Sequence, residues 1–393
     1  MSQHWLWNNT TQVAFGTGCV KEHMPKFVKP NSKILCTFGG GSIDHNGARK
    51  DVTEALAELK CEVRWEGGIP PNPEYDRLVE IAKVAREFKP DLILAVGGGS
   101  VLDGTKFLSI AAKLDEKEDP WKIITGEIKP TEAYPVASVM TIPATGSEWN
   151  NGFVVSRRSI NAKFGRSFDF VYPKFSLLDP LYTMTLPVRQ LRNGVFDATC
   201  HIIDQLITPA ENPLMDHFLM SVFKELVGIG PEVVKENSSI ELHERLIIAA
   251  SFALNYVLAL GKETCWAIHQ IGHQLTVEYG IDHGATLSIV TPFLLENQFE
   301  PRKAILAKTG EFVFGCKGTE EEKARGCIAG IRKFIKDIGQ AEKVSDWEGA
   351  EVKEGDVEKV TKMVMDSQGG KPFGFRGSID EKATREILTH CIV

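Results

Sequence analysis

The stretch LILAVGGGSVLDGTKFL, residues 92–108, decides the fold. Residues 92–96 form an apolar run of strand length with no polar face, as in a strand buried on both sides of a parallel sheet. Gly97, Gly98, Gly99 and Ser100 follow at once, and a helical pattern runs from Val101 to about residue 114. A strand that ends in glycines and opens a helix leaves backbone N–H groups where an anion can approach closely. The same grammar recurs on either side. KILCTF (33–38) ends at Gly39, Gly40, Gly41 and Ser42, with a helical VTEALAELK beyond it. CEVRWE (61–66) reads as a strand, GGIPPNPEYD as a turn, and 75–88 as a helix. VASVMTIP (136–143) runs into a polar loop from Ala144 to Glu148. Strands alternating with helices predict a parallel α/β sheet.

Neither glycine turn is a GxGxxG fingerprint or a Walker loop. Each is open to two readings, a plain turn or a phosphate cradle. Two such turns at strand carboxyl ends in one sheet favour the cradle, because α/β sheets bind ligands there. Asp103, in the first turn of the helix after the second glycine run, reads either as a cap or as a cofactor contact. Thr141, Thr145 and Asn150 belong to a strand-end loop that forms turns or lines the same crevice.

From about residue 187 the pattern changes. Periods near 3.6 dominate 188–208, 213–235, 240–260, 263–278, 285–297, 301–315, 319–337 and 355–366, and strand signals fade. The chain of 393 residues is too long for one ordinary core. LDPLYTMTLPVRQ, with Pro180 and Pro187, marks the boundary. The expectation is an α/β dinucleotide-binding domain over 1–186 and an all-helical, metal-binding domain over 187–393.

Two segments of the helical half carry metal chemistry. NGVFDATCHIID places Asp197 and His201 four apart, and AIHQIGHQLTVEYGIDHG holds His269, His273 and His283. Residues four apart share a helix face, about 6 Å apart along the axis. A carboxylate and an imidazole facing two further imidazoles make a mixed N/O site for Zn(II) or Fe(II). Histidines satisfied by ordinary core or surface contacts are the bland alternative. The apolar setting of the second segment weighs against it, since imidazoles on a buried helix are costly without a partner. Asp197, His201, His269 and His283 form the leading ligand set. Cys200 points about 100° away from His201 on a helix and reads as core.

The net charge of −7, with no Lys/Arg block, argues against a nucleic-acid partner. No apolar run reaches the roughly 18 residues of a membrane span. The N-terminus lacks the basic start and apolar stretch of a secretion signal. Eight scattered cysteines without a CxxC pair fit reduced thiols. These features predict a cytoplasmic protein.

GGGSVLDGTK, TIPATGSE, the DxxxH of Asp197–His201 and the HxxxH of His269–His273 followed by His283 occur together and in order. In that combination, over essentially the whole length, the chain closely resembles the iron-containing (group III) alcohol dehydrogenases. It is most similar to their butanol dehydrogenase and aldehyde reductase branch. The resemblance implies a dehydroquinate synthase-like fold with the active site in the cleft between an α/β and a helical domain. It implies Asp197, His201, His269 and His283 as ligands of a divalent metal, iron or zinc. His273 matches a catalytic cleft histidine near the nicotinamide. Gly97, Gly98, Gly99, Ser100 and Asp103 match the pyrophosphate-binding turn, and Thr141, Thr145, Asn150, Lys163 and Tyr182 match cofactor-contacting positions. Relatives preferring NAD carry an aspartate after the first strand. Here Gly39, Gly40, Gly41 and Ser42 stand there, so NADP(H) is expected, with Asp44 the one nearby carboxylate able to take the ribose diol instead. Trp149 replaces a smaller residue and either packs as core or narrows the substrate cleft.

The expected activity is NADP(H)-linked alcohol dehydrogenase or aldehyde reductase, with a small alcohol or aldehyde as substrate. Two rivals share the scaffold: a lyase of dehydroquinate synthase type, and a non-catalytic metal or nucleotide binder. The lyase needs a basic set around the histidines that the helical half lacks. A homodimer is expected, with the N-terminal stretch of Trp5, Trp7 and Phe15 offering an edge strand.

Overall fold

The computed structural model describes residues 4–392. Its strands are β1 (Gln12–Phe15), β2 (Lys33–Phe38), β3 (Glu62–Glu66), β4 (Leu92–Gly97), β5 (Val136–Met140), β6 (Gly152–Arg157), β7 (Ala162–Ser167) and β8 (Phe175–Leu178). Six form one sheet in the order β1-β8-β5-β4-β2-β3, every neighbouring pair parallel. The connecting helices are α1 (Cys19–Phe27), α2 (Ala48–Glu58), α3 (Tyr75–Phe88), α4 (Gly99–Ala111) and the short α5 (Trp121–Thr125).

The central strands explain the unbroken apolar runs. Leu35, Ile93 and Ala95 enter one core with Leu78, Phe107 and Leu108. Their neighbours Ile34, Cys36, Leu94 and Val96 enter a second core with Met24, Val52 and Leu56. Alternate residues of one strand point to opposite faces, so a sheet covered on both sides needs apolar residues at every position. Because β2 and β4 pair directly, the two glycine turns emerge side by side. A Cβ on Gly39 would lie 3.6 Å from Cγ2 of Val101, the residue that follows the second turn.

The antiparallel β6–β7 hairpin departs from the sequence reading. Its strands alternate weakly; Phe153 and Val155 of β6 join the first core, and Ala162 and Phe164 of β7 pack against it. Its short turn, Arg158–Ile160, lacks glycine and proline, so nothing punctuates it in the sequence.

The helical region comprises α6 (Val188–Leu206), α7 (Pro213–Val233), α8 (Ile240–Ala253), α9 (Ala267–Tyr279), α10 (His283–Asn297), α11 (Phe299–Phe314), α12 (Glu320–Asp337), α13 (Asp356–Ser367) and α14 (Glu381–Ile392). The helix expected over 240–260 stops at Ala253, and Tyr256 takes a φ of 66°. The one expected from 263 begins at Ala267, behind Trp266 with φ 62°. Contacts divide the chain into two compact units. One is Asn8–Pro187 with Asn237–Ile247; the other holds Val188–Glu236, the chain from Ile248 onward and residues 4–7. The expected 1–186 and 187–393 division assigns 237–247 to the helical half. In the structure Ile247 packs with Met140 and Leu178 instead. No helix among the described residues is long and apolar enough to cross a membrane.

Candidate metal centre and coenzyme site

Helix α6 is buried continuously from Gly194 to Leu206 and carries Asp197 and His201 one turn apart. Helix α9 brings His269, and His283 is the first residue of α10. All four belong to the helical unit. Their atoms converge: the Nε2 atoms of His201, His269 and His283 stand 3.4, 3.7 and 3.7 Å from Oδ1 of Asp197. Two ligand atoms each about 2.1 Å from one ion, at a tetrahedral angle, lie about 3.4 Å apart. One ligand atom each of Asp197, His269 and His283 lies within 4.8 Å of the others, a spacing that suits a single small divalent cation, and His201 stands beside them through Asp197. Asp197, His201 and His269 are 4, 4 and 8% exposed, and neither Asp197 Oδ1 nor His269 Nε2 has a hydrogen-bond partner among the described residues. Burying polar atoms without partners is unfavourable unless something else satisfies them, and this donor set fits a metal. The ring of Trp266 walls the site, 5.4 Å from His269 and 6.2 Å from His201.

Two carboxylates missed by the sequence reading support these side chains. Asp204, a further turn along α6, accepts a hydrogen bond from Nδ1 of His269 at 2.7 Å. This fixes the tautomer and leaves Nε2 facing Asp197, the usual support for a ligating histidine. The i, i+4, i+7 pattern of Asp197, His201 and Asp204 was its signal. Asp282 precedes His283 and accepts from Arg189 (2.6 and 2.7 Å) and from Nδ2 of Asn193 (2.7 Å), both on α6. This clamp ties the start of α10 to the helix bearing Asp197 and His201. Gly284 permits it, since a Cβ there would lie 2.4 Å from the Asn193 carbonyl oxygen. Cys200 is fully buried, with Sγ 3.9 Å from His269 Nδ1. Cys200, Asp204 and His269 also cluster within metal-ligand range. Because Asp204 already takes His269 Nδ1, that cluster is the backing of the first site.

Burial alone would raise the Asp197 carboxyl, but His201, His269 and His283 together outweigh it and hold the group well below the usual carboxylate range. Burial pushes His201 down to about 4, against the pull of Asp197, so its ring is neutral near pH 7. His269 moves the other way: burial opposes its charge, but Cys200, Asp197 and Asp204 raise it well above the ordinary imidazole value. Burial lifts the Cys200 thiol to about 11, so the thiol is neutral near pH 7 and the two carboxylates are the effective partners. His273 lies one turn beyond His269, half-buried, its ring 5.2 Å from that of His283.

In the sheet unit, steric fit demands all three glycines of the second turn. A Cβ on Gly97 would stand 2.6 Å from Val101, on Gly98 2.8 Å from Ile142, and on Gly99 2.4 Å from Thr145. Helix α4 begins there with no side-chain cap, which leaves its first N–H groups for an external anion. Ser100 Oγ accepts from Asn72 N at 3.2 Å, and Lys163 Nζ donates to Asn72 Oδ1 at 2.9 Å. Ser100, Lys163 and the unforeseen Asn72 thus meet at the mouth of the turn. Asn72, at φ 56°, belongs to the Pro-Asn-Pro segment that sequence flagged only as a turn.

Behind them lies a closed polar network. Asp103 accepts from Ser147 Oγ (2.7 Å) and Val154 N (2.9 Å). Lys106, 1% exposed, donates to the Ser147 carbonyl and hydroxyl and to the Gly152 carbonyl, each at 2.8 Å, and to Asn150 Oδ1 at 3.1 Å. Burial raises Asp103 and lowers Lys106 to about 8, each opposed by the other's charge. Asn150 also holds the Gly146 carbonyl and Gly152 N. Thr141 donates its N–H to the Gly97 carbonyl, and Thr145 Oγ1 accepts from Ser147 N. Asp103, Thr141 and Asn150 therefore hold the loop in shape. Trp149 is half-buried in the Ser147–Trp149 turn, its carbonyl accepting from Asn9. Tyr182 must be corrected. It is 2% exposed within the sheet core, its hydroxyl donates to Asp51 at 2.8 Å, and it offers a coenzyme no surface.

The whole length of the chain is matched by known proteins. The chain belongs to the iron-containing alcohol dehydrogenases: the family model described as iron-containing alcohol dehydrogenase matches residues 10–180, and that of the family's C-terminal domain matches 192–382. Among its relatives is the NADPH-dependent aldehyde reductase YqhD of Escherichia coli, 38% identical over 86% of this chain and 87% of that one. The YqhD crystal structure superposes with a TM-score of 0.93, at 35% identity, covering 99% of this chain and 98% of that one. An NADP-dependent alcohol dehydrogenase of Entamoeba histolytica is 33% identical over 98% of both chains. A probable NADH-dependent butanol dehydrogenase of Bacillus subtilis is 32% identical over 88% of this chain and 90% of that one.

Proposed function

We propose that this chain is a metal-dependent, NADP(H)-linked alcohol dehydrogenase that works as an aldehyde reductase on small apolar substrates. The observation that carries the reading is the convergence of three imidazole Nε2 atoms on one buried carboxylate oxygen, with that oxygen and Nε2 of His269 lacking hydrogen-bond partners among the described residues. Asp197, His201, His269 and His283 hold the divalent ion, and Asp204 orients His269 toward it. When bound, the ion supplies Lewis acidity to the substrate oxygen and the nicotinamide supplies the hydride. Gly97, Gly98, Gly99 and Ser100 present backbone N–H groups to the pyrophosphate, with Lys163 as the nearby cation. Gly39, Gly40, Gly41 and Ser42 receive the adenosine ribose. Asp103, Thr141, Thr145 and Asn150 hold the turns in register. His273 delivers the proton that the reduced oxygen takes up, since an imidazole exchanges protons near neutral pH.

The eight cysteines form no disulfide among the described residues, which fits a reducing compartment, and we assign the protein to the cytoplasm. The edge position of β1 in its sheet, with Phe15 exposed on it, supports a homodimer. The test is NADPH oxidation with butanal by protein loaded with iron or with zinc, with His273→Ala alongside. Butanal-dependent turnover that chelation abolishes is expected, with a lower kcat and an altered pH profile for the variant. No turnover with any aldehyde, or a variant with the wild-type kcat at every pH, overturns the corresponding assignment.

A further inference from the structure

Strands β2 and β3 end among aromatic rings. Phe38 closes β2, and Trp65 precedes the last residue of β3, their rings 6.0 Å apart and nearly perpendicular. Arg49, in the first turn of α2, lays its guanidinium 4.2 Å from the centre of the Phe38 ring and 4.4 Å from that of Trp65. Its Nε donates to Oδ1 of Asp44, in the short Ser42–Asp44 turn that follows the glycines. That bond uses Nε alone, so both Nη groups keep their N–H donors. The pair sits against the glycine turn: Oδ2 of Asp44 is 3.5 Å from the place a Cβ on Gly41 would take. Around Gly40 there is open space, with no atom within 4 Å of its Cβ position. The Arg49 and Asp44 side chains are 25 and 45% exposed, so a solvent-borne anion can reach both.

We propose that Arg49 is the residue that reads the 2′-phosphate of the coenzyme, and that Asp44 is the counter-charge it exchanges for that phosphate. This rests on the NADP(H) reading above. The planar Nη fork suits two oxygens of one phosphate, and the stacked rings hold it rigid, so little side-chain freedom is lost on binding. Asp44 by itself would repel a 2′-phosphate and accept a ribose 2′-hydroxyl. Arg49 neutralises that carboxylate, and coenzyme choice becomes a competition for one guanidinium. Relatives of similar identity divide between NADPH and NADH, so this chain's own residues at the turn decide.

The test is calorimetric binding of 2′,5′-ADP and 5′-AMP to the full chain, which needs neither turnover nor metal. The wild type is expected to bind 2′,5′-ADP more tightly. Arg49→Gln keeps the stem over the rings without the charge. It should lose about ten- to a hundredfold in 2′,5′-ADP affinity with 5′-AMP unchanged, and Arg49→Lys should recover part. Asp44→Asn removes the competitor and should tighten 2′,5′-ADP while weakening 5′-AMP. Equal weakening of both nucleotides by Arg49→Gln, or no change in either, overturns the role of Arg49. An Asp44→Asn protein with unchanged 2′,5′-ADP affinity overturns the exchange, and does so even if Arg49→Gln fails to fold. A wild type that binds neither nucleotide overturns the coenzyme reading itself.

Discussion

The metal-ligand cluster and the loop behind the second glycine turn both bury charged side chains, but they treat them in opposite ways. Around Asp197 the donor atoms point at one another, with Oδ1 of the aspartate and Nε2 of His269 left without hydrogen-bond partners. Around Lys106 every listener has a speaker: the ammonium meets four acceptors, and Asp103 is satisfied by a hydroxyl and a backbone N–H. Buried polar atoms left without partners fit a site to which something is added. A satisfied network is complete, and its work is to hold neighbouring backbone in place. On the proposed reading the first is a binding centre and the second is a scaffold.

The largest effect expected from that difference lies in the metal centre. Asp197→Ala removes the atom on which the three imidazoles converge and should abolish measurable binding in a metal titration. Asp204→Asn keeps all four ligands and disturbs only the orientation of His269. Its affinity should fall by about 10- to 100-fold. If the two variants lose affinity equally, Asp204 is itself a ligand and the division into ligand and support is wrong. Next in size is Gly99→Val in the sheet unit. Its Cβ would stand 2.4 Å from Thr145, and overpacking of that kind costs about 1–3 kcal/mol. The urea midpoint should drop and NADPH binding weaken while metal affinity stays at the wild-type value. A variant with lowered metal affinity and intact NADPH binding would refute the separation of the two regions.

The two regions were also unequally legible in the sequence. The pairing of Asp197 with His201 could be read because a helix has one period: residues four apart face the same way, whatever else the chain does. Asp197 with His201 followed directly, and Asp204 was available by the same rule one turn further on. The sheet could be read because β2, β4 and β5 are short, mostly apolar runs that end at glycines or a polar loop. The hairpin β6–β7 and the loop network could not. Lys106 lies in the middle of α4, where sequence gives no sign that its ammonium reaches Ser147, 41 positions away. Tyr182 matched a coenzyme position by order along the chain, yet its ring is in the core and its hydroxyl on Asp51. Position in a motif fixes which residues are near a site. Only packing decides which of them face the ligand and which hold the backbone.

The smallest expected effect tests the scaffold through its charge. Burial, opposed by Asp103 and Glu148, lowers Lys106 to about 8 from its ordinary 10.5. The folded value is depressed, so the charged form is disfavoured by folding. Below pH 8 both folded and unfolded chains carry the proton, and the burial cost is present in full. Between about 8 and 10.5 the folded chain sheds the proton while the unfolded chain keeps it, so stability gains as pH rises. Lys106→Met has no such proton, but it leaves four acceptors without their donor. At pH 7 those two consequences oppose each other, and the variant should differ from wild type by only about 1–2 kcal/mol. Urea unfolding of the metal-free proteins at pH 7, 8, 9 and 10 should show the wild type's advantage widening with pH. A constant difference across that range would mean that the lysine carries an ordinary ammonium, and the network around it would then be open to water rather than a sealed support for the glycine turn.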